Sequence, residues 1–440
     1  MLLFPPLLNG GPGIMNVSID SEKNFNYLFG AINLVVIFCI VWLLWVVFMH
    51  PNAVMKLYTP MYGFSLIVVL LSAIVFMNKV ADYYPFPRSS SEGFGLFLRG
   101  IILTAVAILL MLVLVYGLFW GFIGKFGIAY FSPQSIIASG GSGAEILVAR
   151  ENASTAIVYF CTAFLWLALF WSVGFNRWPW QNDTRGVRAW SKLFAILFFA
   201  SIAYTVLFHP HVCYLFYPAQ SKAGVEPWWS EFAGTGSAFF SLGLALSALF
   251  WIIASDMLWE GYPWKLMEKE GQGTFLKGVV VFVTTLGLGI ILIFVLMKIM
   301  NFFWDEAFMG GQYTDGPDFR YIHTGEISGF FILAAFILKN YFNNFPNFGG
   351  IWSRAILRTV ISLIGGSLIY LFYFSAAATF FLGKVPGFAQ PGDTPLVWTI
   401  LFLCVIMVQC DFFEGWPLKK TVGVKTGDQE VQGEMARNTA

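Results

Sequence analysis

Polar side chains recur at one position in five copies of a short motif. An aromatic residue followed by proline occurs in DYYPF, NRWPW, EGYPW, NNFPN and EGWPL, with prolines at 85, 179, 263, 346 and 417. Three residues before each proline stands an acid or its amide. If these segments surround a common axis, the five side chains form a polar ring at one mouth of a pathway, and a ring of acids selects cations. The ring residues are Asp82, Asn176, Glu260, Asn343 and Glu414.

A structural role is the main alternative for the same motif. Tryptophan and tyrosine favour the headgroup zone of a bilayer, because the ring is apolar and its N–H or O–H seeks water. Proline disfavours helix in the residue before it, so the motif ends a spanning helix at a fixed depth. The ring residues would then bind free carbonyls or pair with cations such as Arg99 and Lys277.

Other ionisable residues are scarce inside the apolar runs, where charge is expensive and therefore indicates function. Asp256 and Asp411 lie seven and six residues before prolines 263 and 417, so each is a candidate buried acid about two turns inside the interface. Alternatively, these two side chains extend to the membrane surface. So little buried charge argues against a proton relay and leaves room for a neutral or apolar permeant.

The histidines are candidate metal ligands on the opposite face. His209 and His211 alternate in HPHVC and would share one side of an extended segment, with His50 brought close by the internal repeat and His323 supplied by the 304–326 loop. The signal is weak, since interfacial histidines are commonly structural. No nucleotide-binding or catalytic motif accompanies them, and the sequence identifies no cofactor.

The elements that position these residues are apolar helices. The chain has 440 residues, of which 58% are hydrophobic and 11% charged, whereas a soluble domain is about 25% charged. We predict an all-α, polytopic integral membrane protein: a cytoplasmic segment at 1–28, one transmembrane domain at 29–418 and a polar tail at 419–440. Ten spans are predicted, at 29–49, 62–78, 94–124, 156–175, 190–208, 233–257, 274–303, 327–342, 352–383 and 394–413.

Charge distribution predicts the orientation of the chain. The termini and the loops that carry the aromatic-Pro motif hold 18 of the 25 lysines and arginines. By the positive-inside rule both termini are cytoplasmic, in a membrane of the bacterial inner type. A net charge of +1 without a basic tract excludes nucleic acid as an expected partner.

The motif spacing predicts an internal repeat. The prolines are 94, 84, 83 and 71 residues apart, and FLRG, WSKL, FLKG and WSRA open the helix after each of the first four copies. We predict five parallel two-helix hairpins. A five-plus-five inverted duplication is the rival architecture, but the motif stays on one face throughout.

These features favour a channel or transporter for a small solute, embedded in the lipid bilayer. The alternative is an integral subunit of a redox or other multi-protein complex, which anchors partners or handles a lipid-soluble substrate such as quinone. In that case partner subunits would dock on the outer loops 209–232 and 304–326. A stand-alone metalloenzyme at the outer face is less favoured.

Overall fold

The computed structural model describes residues 27–86, 94–140, 145–209, 236–268, 273–303, 320–383 and 395–416. Within these ranges the protein is all-helical, without strands. Ten helices are long and apolar enough to cross a membrane, which confirms a multi-pass membrane protein. They are α1 Tyr27–Met49, α2 Pro60–Val80, α3 Phe94–Phe126, α4 Ile146–Gly174, α5 Arg185–Phe208, α6 Phe239–Leu258, α7 Phe275–Phe302, α8 Arg320–Tyr341, α9 Ile351–Tyr373 and α10 Pro395–Phe412.

Helices α4, α5 and α8 begin five or more residues earlier than predicted, and in α4 and α8 neighbours satisfy the polar residues near the start. In α4, the Glu151 carboxylate accepts hydrogen bonds from the Met61 amide at 2.8 Å and from the Thr59 hydroxyl, and so caps the start of α2. In α8, His323 Nδ1 lies 2.5 Å from Glu326 Oε2. Residues 320–326 are thus helical and not part of an outer loop. The predicted span 352–383 is also divided, since α9 ends at Tyr373 and a short helix follows at Ala376–Leu382.

Burial separates the ten helices into two classes. In the even-numbered helices 78% to 83% of the apolar window is buried, against 17% to 33% in the odd-numbered helices. A helix that is apolar and buried on every side lies inside a bundle, whereas one with an exposed apolar face contacts lipid. We call α2, α4, α6, α8 and α10 the inner helices and the other five the outer helices.

The inner helices close into a ring. Helix α2 packs against α4, α4 against α6, α6 against α8, α8 against α10, and α10 returns to α2. Each outer helix packs against at least two inner helices; α3 lies against α2 and α10, and α1 lies against α8 and α10. The carboxyl-terminal ends of the inner helices meet at one end of the ring, where Asn344 Nδ2 donates to the Met257 carbonyl at 2.8 Å.

One backbone turn ends every inner helix. Each stops two residues before a residue with left-handed φ, between 49° and 56°, and these five are the ring residues Asp82, Asn176, Glu260, Asn343 and Glu414. The amide before each proline then donates to the carbonyl three residues earlier, as Tyr262 does to Trp259 at 3.0 Å. Asparagine and aspartate tolerate this conformation best among non-glycine residues. The backbone therefore accounts for part of the polar preference at this position.

Two glycines allow the outer helices to approach these turns. Gly100 of FLRG lies against the Phe413 ring, and Gly278 of FLKG lies against the Phe175 ring. A Cβ atom at either glycine would collide with the phenyl ring. The two phenylalanines each directly precede a left-handed residue, so the turn and the start of a neighbouring outer helix form one packed unit.

Candidate functional site along the ring axis

A cavity of about 70 Å³ lies on the axis and is lined by all five inner helices. Fifteen of its lining residues fall into three layers at fixed distances before the left-handed residue of each turn. Seven residues before it stand Val75, Leu169, Ile253, Phe336 and Met407; eleven before it, Leu71, Leu165, Leu249, Ile332 and Leu403; fourteen before it, Val68, Thr162, Leu246, Gly329 and Ile400. We call these three layers the neck.

The neck is closed to ions in this conformation. Its middle layer consists of leucine and isoleucine only, and Thr162 is the sole residue of the three layers with a polar side chain. Apolar cavities of this size stay dry, and a hydrophobic constriction blocks ions because they would have to shed water without replacement ligands. The neck is therefore an apolar barrier between the two ends of the ring.

A polar cavity of about 370 Å³, which we call the vestibule, adjoins the neck at the turn end. Lys79, Ser172 and Asp256 line both spaces, so the two lie directly next to each other. The vestibule lining contains five cations and two carboxylates, a net charge of +3. The full lining is Asn78, Lys79, Asp82, Tyr83, Ser172, Asn176, Arg177, Arg185, Arg188, Lys192 and Asp256.

An ion pair crosses the axis where the vestibule meets the neck. Lys79 Nζ lies 3.9 Å from Asp256 Oδ2. The two residues belong to α2 and α6, which are not neighbours in the ring. Their side chains are 32% and 44% exposed, so water screens the attraction and the pair contributes little to stability.

The five ring residues are divided among different environments. Asp82 and Asn176 line the vestibule. Glu414 Oε1 accepts a hydrogen bond from Arg99 Nη1 at 3.0 Å, and the Asn343 carbonyl accepts one from Asn347 Nδ2 at 3.2 Å. Glu260 is held by two arginines. Of the five ring residues, two therefore line the vestibule and three have other contacts.

Glu260 forms the best-connected ion pair at the turn end. Arg358 Nη1 donates to Glu260 Oε1 at 2.7 Å, and Arg354 Nη2 donates to Oε2 at 3.1 Å. Burial acts to raise the pKa of Glu260, but these hydrogen bonds and charges outweigh it and hold the pKa below the ordinary 4.5. Arg358 is 2% exposed and also donates to the Leu258 and Pro346 carbonyls and to Asn347 Oδ1.

The remaining candidates lie apart from one another. Asp411 Oδ2 accepts a hydrogen bond from Asn78 Nδ2 at 2.5 Å, beside the vestibule. His50 Nδ1 accepts from the Asn52 amide at 3.2 Å, and His323 is buried within α8. His209 is the residue that follows α5, and His211 lies outside the described residues. Among the residues that the structure describes, no three His, Cys, Asp or Glu side chains gather into a metal site.

The cations of α5 were not predicted to form a site, although Lys192 belongs to the WSKL element. Arg185, Arg188 and Lys192 follow one another at spacings of three and four, which places them on one helix face. That spacing was the available signal. No family model, curated protein or solved structure matches this chain.

Proposed function

We propose that the protein is a channel or transporter for a small solute, and that the solute moves along the axis enclosed by the inner helices. The observation that carries the proposal is the common register of the neck. All fifteen positions that lie seven, eleven or fourteen residues before a left-handed turn residue line the same axial cavity. A polar cavity next to this apolar constriction on the same axis is the arrangement expected of a gated pathway, and helices that only anchored partner subunits would not need it.

The finer architecture that we propose is a fivefold repeat of parallel units. Each unit consists of an inner helix, its aromatic-Pro turn and the next outer helix. Helix α1, which packs against α8 and α10, takes the place of the outer helix that would follow α10. With both termini cytoplasmic, as the distribution of lysine and arginine predicts, the vestibule faces the cytoplasm.

The mechanism is gating by the neck. In the closed state the leucine and isoleucine layer excludes water, so ions meet a desolvation barrier. Outward displacement or rotation of inner helices would widen this layer and admit water. The outer helices pack around the ring and separate it from lipid during this change.

Flux through liposomes that contain this chain alone tests the proposal. Three probes cover the solute classes: glycerol, rubidium and nitrate. We expect Leu249→Ser, in the middle layer of the neck, to raise the flux of at least one probe about tenfold or more, because a hydroxyl and a smaller side chain hydrate the constriction. The matched control is Leu109→Ser on α3, where the side chain is 60% exposed on the outer surface, and flux should equal that of the wild type.

The result that would overturn the proposal is flux of all three probes at the level of protein-free liposomes for both the wild type and Leu249→Ser. Recovery of the chain with stoichiometric partner subunits, together with that result, would favour the complex-subunit alternative.

A further inference from the structure

We propose that the vestibule is a binding site for small anions, so that the solute carried along the axis is an inorganic or organic anion. The assignment of the solute rests on the proposed function, whereas the binding site stands on the vestibule itself. A ring of acids and amides would favour a cation or a neutral solute. The contacts of those side chains instead favour an anion.

Two buried cations carry the inference. Arg188 and Lys192 line the vestibule and are 8% and 6% exposed. Among the described residues, neither side chain forms a hydrogen bond or a salt bridge to another residue. By contrast, Arg358, which is 2% exposed, donates four hydrogen bonds to protein acceptors.

The two side chains are buried along most of their length, and their charged ends open onto the vestibule. A charge with reduced access to water is stabilised by an opposite charge or by hydrogen-bond acceptors. Asp82 attracts both Arg188 and Lys192, but Arg177 repels them. The cavity therefore keeps an excess of positive charge within its own walls. A bound anion supplies the missing acceptors and charge.

The vestibule also has the shape of a site for an anion. The side chain of Asn176, a ring residue, adds a neutral amide beside the cations. The volume of about 370 Å³ accommodates an oxyanion or a small carboxylate with part of its hydration shell, five times the space in the neck. Anions would thus be concentrated directly below the constriction, where field lines from the five cations converge.

The acids that could have favoured cations are neutralised elsewhere. Glu260 and Glu414 are engaged by arginines. The pair between Lys79 and Asp256 spans the entrance to the neck. Of the two carboxylates in the vestibule, only Asp82 therefore opposes the remaining four cations.

The experiment compares nitrate, rubidium and glycerol fluxes in liposomes, with the neck opened by Leu249→Ser. We expect nitrate flux to exceed rubidium flux. In the same background, Arg188→Gln together with Lys192→Gln should lower nitrate flux about tenfold or more, because two charge-assisted hydrogen-bond donors are lost. Glycerol flux should stay unchanged, and this unchanged flux also reports that the variant is folded.

Two control variants keep the test specific. Lys265→Gln removes an exposed cation at the same end of the ring but outside the vestibule, and should leave the ratio of nitrate to rubidium flux unchanged. Exchange of Arg188 for Lys and of Lys192 for Arg keeps both charges and should retain most of the nitrate flux.

The outcomes separate the two proposals. Rubidium or glycerol flux without preference for nitrate leaves the channel standing and overturns the anion site. The same conclusion follows if the double neutralisation leaves the nitrate-to-rubidium ratio unchanged. Absence of flux for all three probes defeats the channel itself.

Discussion

The same turn has two electrostatic outcomes on different sides of the ring. At the ends of α6 and α10, the left-handed residue is glutamate and is clasped by arginines from an outer helix, Glu260 by Arg354 and Arg358 and Glu414 by Arg99. We call these turns the clasped sector. At the end of α2, the shorter Asp82 attracts the cations of α5 but forms no salt bridge with them. We call this turn and the start of α5 the open sector.

The difference shows that the same left-handed turn can either fix arginines in the scaffold or leave nearby cations for a ligand. The turn fixes where the side chain projects, and the neighbouring outer helix supplies cations in both sectors. A glutamate there reaches its arginines, so the cations become part of the scaffold. Where α4 has the neutral Asn176, the cation of the adjacent outer helix, Lys277, pairs instead with Glu268 at 2.6 Å. In the described part of the turn end, the cations of the open sector form no salt bridge and stay available to a ligand.

The largest expected difference between the two sectors is the effect of an arginine substitution on the free energy of unfolding. We expect Arg358→Gln, in the clasped sector, to lower the free energy of unfolding by about 3 kcal/mol, since it breaks a buried charge network. Arg188→Gln, in the open sector, should be neutral or stabilising by up to about 1 kcal/mol, because it removes an unpaired buried charge. Denaturant unfolding in detergent measures both. Equal losses in the two variants would show that the sectors do not differ.

The ten helices could be predicted from sequence because each depends on residues that are close in the chain. Apolar length sets the span, and aromatic-Pro sets its end. The pairing of the turn residues could not be predicted in the same way. Glu260 and Arg358 are 98 residues apart, and Arg99 and Glu414 are 315 apart, so their contacts exist only after the ring closes. Glu151 was missed for the same reason, as its partners lie at the start of α2.

The three layers of the neck are a different case. Their spacing is present in the sequence, but it becomes visible only when residues are counted from the correct position in each turn. Counting back from the left-handed residue aligns all three layers. The conformation of that residue is local, and asparagine or aspartate followed shortly by proline favours a turn. What the sequence did not supply is which face of each helix meets the axis, because the inner helices are apolar on all sides.

Packing of the turn against the outer helix should matter whatever charge the turn carries, and a glycine at the α4 turn, which belongs to neither sector and has the neutral Asn176, tests this. Gly278→Ala is expected to lower the free energy of unfolding by about 2 kcal/mol, because the new methyl group overlaps the Phe175 ring. That ring cannot easily move, since it packs against Trp171 and Phe275. The control is Gly287→Ala in the same helix, where a Cβ atom meets open space.

For that control we expect no loss of stability, and a small gain is reasonable because alanine favours helix over glycine. Thermal unfolding of both variants in the same detergent is the measurement. Similar losses at the two positions would mean that helix propensity, and not the contact between turn and helix, determines the result.

The smallest expected effect concerns the pH dependence of the clasped sector. The arginines hold the pKa of Glu260 below 4.5, so the carboxylate stabilises the folded state above that value, and this contribution is lost as the pH falls through the lowered pKa. Because the side chain is 35% exposed, Glu260→Gln should cost only about 1 kcal/mol at neutral pH. The difference in unfolding temperature between wild type and variant should shrink as the pH falls below 4.5. Glu145→Gln, which changes an exposed carboxylate at the start of α4 that forms no salt bridge with a described residue, serves as the control, and its difference should be smaller than that of Glu260→Gln at neutral pH. A Glu260 difference that did not change with pH would mean that packing, and not the ion pair, holds this turn.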